Sequence, residues 1–274
     1  MQTEITDDFD LTKIAKSGQC FRVREFDDGR FRFISKDHVL YLKKTGETTY
    51  DLSCSKEAWQ NFWSGYFDLG RNYKKIRRES RGKNSFADAA MDAGEGIRIL
   101  RQDPFETPIT FLISQRKNIP AIQKAVQDVC QAYGQKITTD CETLYTFPTP
   151  ENLSSATETD LRELRLGYRA PYVLDAVRRV ETHELDLTAL TALSSSELLD
   201  SLQSVKGVGP KVASCVALFS YGRCDCVPVD VWIHRAIEED CNGCSPFPLY
   251  GEDAGILQQY IFYYERLQKG TEYF

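Results

Sequence analysis

Ser201 to Phe219 reads SLQSVKGVGPKVASCVALF, and few backbones can accommodate it. Leu198, Leu199, Leu202 and Val205 form one apolar stripe at helical spacing, and Ala213, Val216, Ala217 and Ser220 form a second. The KGVGP between them is too short for anything but a tight connection, so the stretch predicts two short helices joined by a hairpin. Gly207 and Gly209 permit positive φ and close backbone approach. Pro210 suits the first position of the second helix, where its missing N–H costs nothing. The N–H groups of such a loop converge on a small volume that fits a phosphate oxygen. Lys211 then stands at the positive end of the second helix, which disfavours a cation there by roughly 0.3–1 kcal/mol.

Nineteen residues after Lys211 comes Asp230, in VPVDVWIHRAI. Pro228 ends the preceding segment, and Asp230 stands where the next helix begins, as an N-cap worth roughly 1 kcal/mol. A capping carboxylate is held rigidly and keeps a lone pair that can face a developing positive charge.

Texture divides the rest of the chain. Up to about Asn84–Gly96, short alternating aromatic and β-branched runs are broken at Asp27-Asp28-Gly29 and Thr45-Gly46, which predicts an antiparallel sheet. A helix over about 56–67 places Trp59, Phe62, Trp63 and Tyr66 on one face, and these read as core. From Ile97 onward the pattern is helical almost to the end. Helices are predicted at about 106–114, 120–133, 157–166, 171–183, 195–204, 211–220, 230–239 and 253–269. The expected architecture is α+β, with an antiparallel β domain with flanking helices over 1–95 and an all-helical domain over 96–274.

No apolar run among the 274 residues is long enough to span a bilayer and no secretory leader is evident, so the expected address is the cytoplasm. Nine cysteines, an odd number in a chain of this length, read as reduced thiols rather than a disulfide framework. The net charge of -6 argues against a nucleic-acid partner only as a global sum. Locally, Arg71–Lys83 carries seven basic residues against one acid, and 161–180 is again rich in Arg; each run alone reads as a solvated helix face.

VKGVGPKVASCVALF followed by VPVDVWIHRA resembles the helix-hairpin-helix, Gly/Pro-Asp signature of the base-excision DNA glycosylase superfamily. KSGQCFR at Lys16–Arg22, GIRILRQDPFE at Gly96–Glu106 and LRLGYRAPYV at Leu164–Val173 resemble its 8-oxoguanine branch, in matching order along nearly the whole chain. Compact ends add the expectation of a prokaryotic member. The resemblance implies a TATA-binding-protein-like antiparallel domain beside a helical domain. It also implies a monomeric, nucleoid-associated glycosylase and abasic-site lyase that acts on damaged double-stranded DNA without cofactor or metal.

Residue by residue, the resemblance makes Lys211 the nucleophile that attacks C1′ and forms a Schiff base. A lysine must be neutral to attack, and a helix N-terminus, burial and a nearby cation each favour the neutral amine. Asp230 matches the catalytic aspartate that stabilises the cationic sugar. Gly18 matches the residue whose carbonyl accepts the N7–H that distinguishes 8-oxoguanine from guanine. Phe262 and Cys215 match the pair that sandwiches the flipped base, and Gln258 the reader of its Watson–Crick edge. Tyr168 and Arg169 match the residues that fill the gap and meet the orphaned cytosine, Asn118 the last of an asparagine run, and Gly207 and Gly209 the DNA-binding hairpin. The chain departs from the eukaryotic pattern at Arg116-Lys117-Asn118, at Ala121 in place of an arginine and at Trp232 in place of a histidine, which bears on opposite-base preference. Cys224, Cys226, Cys241 and Cys244 do not follow the spacing of the cluster some relatives carry, and no metal is assigned to them. Two alternatives remain: a superfamily member acting on oxidised pyrimidines, and a DNA-binding module that uses the hairpin without catalysis.

Overall fold

The computed structural model describes residues 1–270. Five strands, β1 (Gln2–Glu4), β2 (Arg24–Glu25), β3 (Arg30–Ser35), β4 (His38–Lys44) and β5 (Thr49–Leu52), form one antiparallel sheet in the order β1-β5-β4-β3-β2. Both expected turns connect strands, β2 to β3 and β4 to β5. A third, at Lys36-Asp37, joins β3 to β4, with Lys36 in the left-handed region at φ 56°. Alternation puts Phe31, Phe33, Leu40 and Leu42 on the buried face, which Trp59, Trp63, Tyr66 and Phe67 cover. The aromatics of 56–66 are core, as their spacing implied. Short helical turns α2 (Lys56–Ala58) and α3 (Ser64–Tyr66) flank a wider π turn, Trp59–Trp63.

Three helices in the N-terminal third, α1 (Leu11–Lys16), α4 (Tyr73–Ser80) and α5 (Ser85–Ala93), stand where the periodicity marks no bounds for a helix. Side chains of Asp10, Asn72 and Asn84 cap them, each accepting an N–H from the first turn. The helical region then contains α6 (Glu106–Ser114), α7 (Ile119–Tyr133), α8 (Pro150–Ser154), α9 (Glu158–Glu163), α10 (Ala170–Glu181), α11 (Ser195–Gln203), α12 (Pro210–Phe219), α13 (Val231–Arg235) and α14 (Ala254–Gln268). Each expected helix is present near its expected bounds. Helix α13 widens into a π turn over Ala236–Asp240.

One expectation is corrected: the region after Ile97 is not wholly helical. Lys136–Thr138 and Thr143–Tyr145 pair as a hairpin, β6–β7. Thr139 closes its turn, where the hydroxyl accepts the N–H groups of Cys141 and Glu142. Glu142 then pairs with Arg32 of the large sheet at 2.7 Å, so hairpin and sheet brace each other.

An extended segment, 97–103, ties the sheet core to the helical core. Arg98 is fully buried and spends all five N–H groups on the carboxylate of Asp7 and the carbonyls of Asp8, Phe67, Asp68 and Arg71. Gln19 donates to the Arg98 carbonyl at 2.8 Å and accepts the Leu100 N–H at 2.7 Å. Gln102 donates its side-chain amide to the Gln19 carbonyl and its backbone N–H to Phe219 at the end of α12, both at 2.7 Å. The loop carrying Gly18 is thereby fixed against the helix carrying Lys211.

Candidate active site

The hairpin before α12 is strapped from two sides. The Gln115 side chain donates to the Gly207 carbonyl at 2.9 Å, and Lys206 N–H donates to Asp175 at 2.9 Å. Gly207 has φ +84°, and a Cβ there would lie 2.4 Å from the Tyr172 ring, so position and conformation both demand glycine. No side chain caps α12, whose N-cap is Gly209. Its first-turn N–H groups therefore keep their positive end open. Lys211 is half-buried on that turn, with Nζ 4.8 Å from the Phe111 ring centroid. Cys215 is one turn on and buried; burial pushes its thiol up, against the pull of the Lys211 ammonium beside it.

Asp230 is the N-cap of α13. Both capping bonds, from Trp232 N–H and Ile233 N–H at 3.0 Å each, fall on Oδ1, which leaves Oδ2 outside the cap. The two helix N-termini thus present a lysine and an aspartate to the same space.

That space is an open cavity of about 640 Å³, lined by Gly18, Asn118, Tyr168, Lys211, Asp230 and Phe262 together with Phe111, Gln115, Arg116 and Arg266. Gly18 has φ +75°, and a Cβ on it would come within 2.9 Å of the Phe262 ring, so the aromatic edge rests on the glycine backbone. Six sequence-predicted residues therefore share one wall. The other five do not line it. Cys215 lies beneath Lys211, and Gln258 is buried with its carbonyl accepting the Gln259 amide at 2.9 Å. Gly207 and Gly209 sit on the neighbouring hairpin. Arg169 is buried and turned inward, where Nε donates to the Gln115 carbonyl at 2.9 Å and Nη1 to Leu166 at 3.3 Å; the guanidinium stacks 4.4 Å from the exposed Tyr168 ring. Asn118 lines the cavity while its side-chain oxygen caps α7 through Ala121 N–H at 3.0 Å.

Two neighbours of the site were not foreseen. Phe111 carries no sequence signal that separates it from core. Arg266 does: it lies four residues past Phe262 and eight past Gln258, on one face of α14. Its residue is 6% exposed, and burial lowers its proton affinity while the charge of Asp230 raises it.

The basic run over 71–83 is partly paired: Arg77 with Asp8 and Glu95, Arg71 with Asp68, and, on the surface, Arg81 with Asp92. The Arg-rich segment near 161–180 is likewise paired, Arg162 with Glu158 and Arg178 and Arg179 with Asp175. Arg116, at the cavity mouth, is exposed. A larger cleft of about 720 Å³ lies between the sheet and α7, but its charges pair with one another, Arg22 with Glu106 and Arg32 with Glu142, and it holds none of the expected site residues. Among the described residues no group of three or more His, Cys, Asp or Glu is arranged to hold a metal, and no helix is long and apolar enough to cross a membrane.

Residues 3–107 match the family described as 8-oxoguanine DNA glycosylase, N-terminal domain, and 109–245 match the HhH-GPD superfamily base excision DNA repair protein. The chain is 40% identical over 158 residues to the N-glycosylase/DNA lyase of Saccharomyces cerevisiae, a match covering 53% of this chain and 42% of that one. The chain thus spans under half of the yeast relative's length. It is 30% identical over 217 residues to a probable N-glycosylase/DNA lyase of Methanothermobacter thermautotrophicus, covering 66% of this chain and 69% of that one. In structure it is similar to the Clostridium acetobutylicum 8-oxoguanine glycosylase/lyase solved with double-stranded DNA containing cytosine opposite 8-oxoG. The TM-score is 0.90 at 35% identity, over 98% of each chain.

Proposed function

The chain belongs to the 8-oxoguanine DNA glycosylase branch of the HhH-GPD base-excision repair superfamily, and from that membership we propose that it excises 8-oxoguanine from duplex DNA and then cleaves the strand as an abasic-site lyase. The observation that carries the reading is the convergence of Lys211 and Asp230, each at a helix N-terminus, on a cavity that Gly18 and Phe262 also line. The Lys211 amine attacks C1′ of the extruded nucleotide, the C1′–N9 bond breaks, and its electron pair leaves on the base. Asp230 faces the positive charge that builds on the sugar during that step. One amine proton goes to the departing base; the nitrogen then opens the C1′–O4′ bond, its remaining proton passing to O4′, and the imine so formed acidifies the neighbouring C2′–H, whose loss breaks C3′–O3′ and expels the 3′ phosphate.

Phe262 offers its face to the flipped base, the Gly18 carbonyl accepts N7–H, and Tyr168, exposed at the cavity mouth, fills the vacated stack. Cys215 and Gln258 reach the base once it enters between Phe262 and the α12 surface. The open N–H groups around Gly207 and Gly209 take a phosphate. We propose a working division near residue 95, in which 1–95 supplies the Gly18 loop and 96–274 the nucleophile; the two cores interlock across it, since Tyr73, Ala87, Ala90 and Met91 pack in the helical core and Leu100 in the sheet core. The setting is the nucleoid, with the protein acting as a monomer on damaged duplex.

The test is covalent trapping. With borohydride and a duplex bearing 8-oxoguanine, the protein becomes linked to DNA; Lys211→Gln loses both trapping and base release while duplex binding persists. Trapping by that variant at the wild-type level would remove Lys211 from the reaction. A duplex bearing thymine glycol, trapped in preference, would transfer the chain to the oxidised-pyrimidine class.

A further inference from the structure

Arg266 lies beside two groups assigned to the lesion base and stands near a third assigned to the sugar. Its guanidinium lies 5.4 Å from the Phe262 ring centroid. Its Nη1 is 3.7 Å from the point where a side chain on Gly18 would begin. Asp230 lies close enough for its charge to act on the guanidinium, and all four residues line one cavity.

The edge of 8-oxoguanine that separates it from guanine carries a donor, N7–H, between two acceptors, the carbonyls at C8 and C6. A surface that reads this edge needs an acceptor with a donor beside it. The Gly18 carbonyl is the acceptor under the reading above, and a planar guanidinium with five N–H groups is the donor at its side. When the C1′–N9 bond breaks, the electron pair that leaves on N9 spreads to those same carbonyls. A cation donating to one of them therefore binds the departing base more strongly than the intact nucleotide.

We propose that Arg266 is a specificity-determining residue that donates a hydrogen bond to a carbonyl of the oxidised purine, beside the Gly18 acceptor; this rests on the cavity being an 8-oxoguanine site. Lysine at this position keeps the charge and loses the fork, and glutamine keeps a donor and loses the charge.

The test separates work on the base from work on the sugar, because a preformed abasic site has no base to read. Wild type, Arg266→Gln and Arg266→Lys are compared in single-turnover excision of 8-oxoguanine and in strand cleavage of the same duplex with an abasic site. The glutamine variant slows excision about tenfold to a hundredfold, the range for one charged hydrogen bond, while abasic cleavage stays within about threefold. The lysine variant recovers part of the excision. Parallel loss of both activities would make Arg266 a support for α14 or for Asp230 and overturn the proposal, as would unchanged excision. A wild-type protein that cleaves abasic sites and leaves 8-oxoguanine in place would overturn the substrate reading itself, and the role of Arg266 with it.

Discussion

Asp230 and Arg169 show how a side chain's structural commitments set what else it can do. Asp230 commits one oxygen to two backbone N–H groups and keeps the other for the cavity. Asparagine can make the same cap and lacks the charge. Asp230→Asn should therefore keep thermal stability within about 1 kcal/mol while excision slows by about a hundredfold or more. Melting curves and single-turnover rates check this together, and a matching collapse of stability would make the residue a cap alone. Arg169 is the opposite case, since its guanidinium is spent on the Gln115 and Leu166 carbonyls and on the Tyr168 ring. With alanine at 121, the donors that would converge on an orphaned cytosine are few. One good bidentate contact is worth roughly 1–3 kcal/mol, so changing the opposite cytosine to adenine, thymine or guanine should slow excision by less than about a hundredfold. Four duplexes differing only at that base settle the matter. A stronger preference would mean that Arg169 swings out, or that Arg116 has taken over the reading.

Helix α6 joins the two halves of the site, because Glu106 in its first turn pairs with Arg22, just past the Gly18 loop, and Gln115 at its C-terminal end straps the hairpin at Gly207. Asp103 caps it by accepting Phe105 N–H and Glu106 N–H. Glu106 is paired with Arg22 at 3.3 Å, yet burial outweighs the guanidinium and pushes its carboxyl from 4.5 up to about 6. A raised value means that the fold favours the protonated acid. That contribution is complete below about 4.5, is lost as pH rises through about 6, and amounts to about 2 kcal/mol. Against Glu106→Gln, which cannot titrate, the wild type should gain a few degrees in Tm between pH 7.5 and pH 5. A difference independent of pH would show that Glu106 ionises normally.

The same scale explains which elements were legible in the sequence. Helices α11 and α12 announce themselves through apolar periodicity, Pro210 and the glycines. Helix α4 hides because Tyr73, Ile76, Arg77 and Ser80 face inward amid a basic run, and a buried arginine paired with Asp8 gives no hydrophobic signal. The β6–β7 hairpin is three residues to a strand and depends on Glu142 reaching Arg32, a partner distant in the chain. At the site, Lys211 and Asp230 were visible because each breaks or fulfils a rule of helix ends. Arg266 was missed although it shares a helical face with Gln258 and Phe262, because an arginine at that spacing reads equally well as a solvated end of the helix.

At the scale of the whole molecule, a net charge of -6 coexists with a cavity edged by Lys211, Arg116 and Arg266. Many acids are consumed in pairing with structural arginines, as Asp7, Asp8 and Asp68 are with Arg98, Arg77 and Arg71, so the sum over the chain does not describe the surface around this cavity. The two cores are held by a seam rather than a flexible tether. Gln19, Arg98, Leu100 and Gln102 are sewn together by side-chain amides, so two motifs about eighty residues apart, KSGQCFR and GIRILRQDPFE, meet in space. The Leu100 N–H sits inside that seam, bonded to Gln19 and sealed from water. Solvent deuterium reaches it only when both cores part. In heavy water this amide should be among the last to exchange, at a rate that follows global unfolding as denaturant is added, and Gln19→Ala should speed it; exchange within minutes would mean that the halves separate while each stays folded. A single proton thus reports whether the Gly18 loop and the helix carrying Lys211 ever move independently.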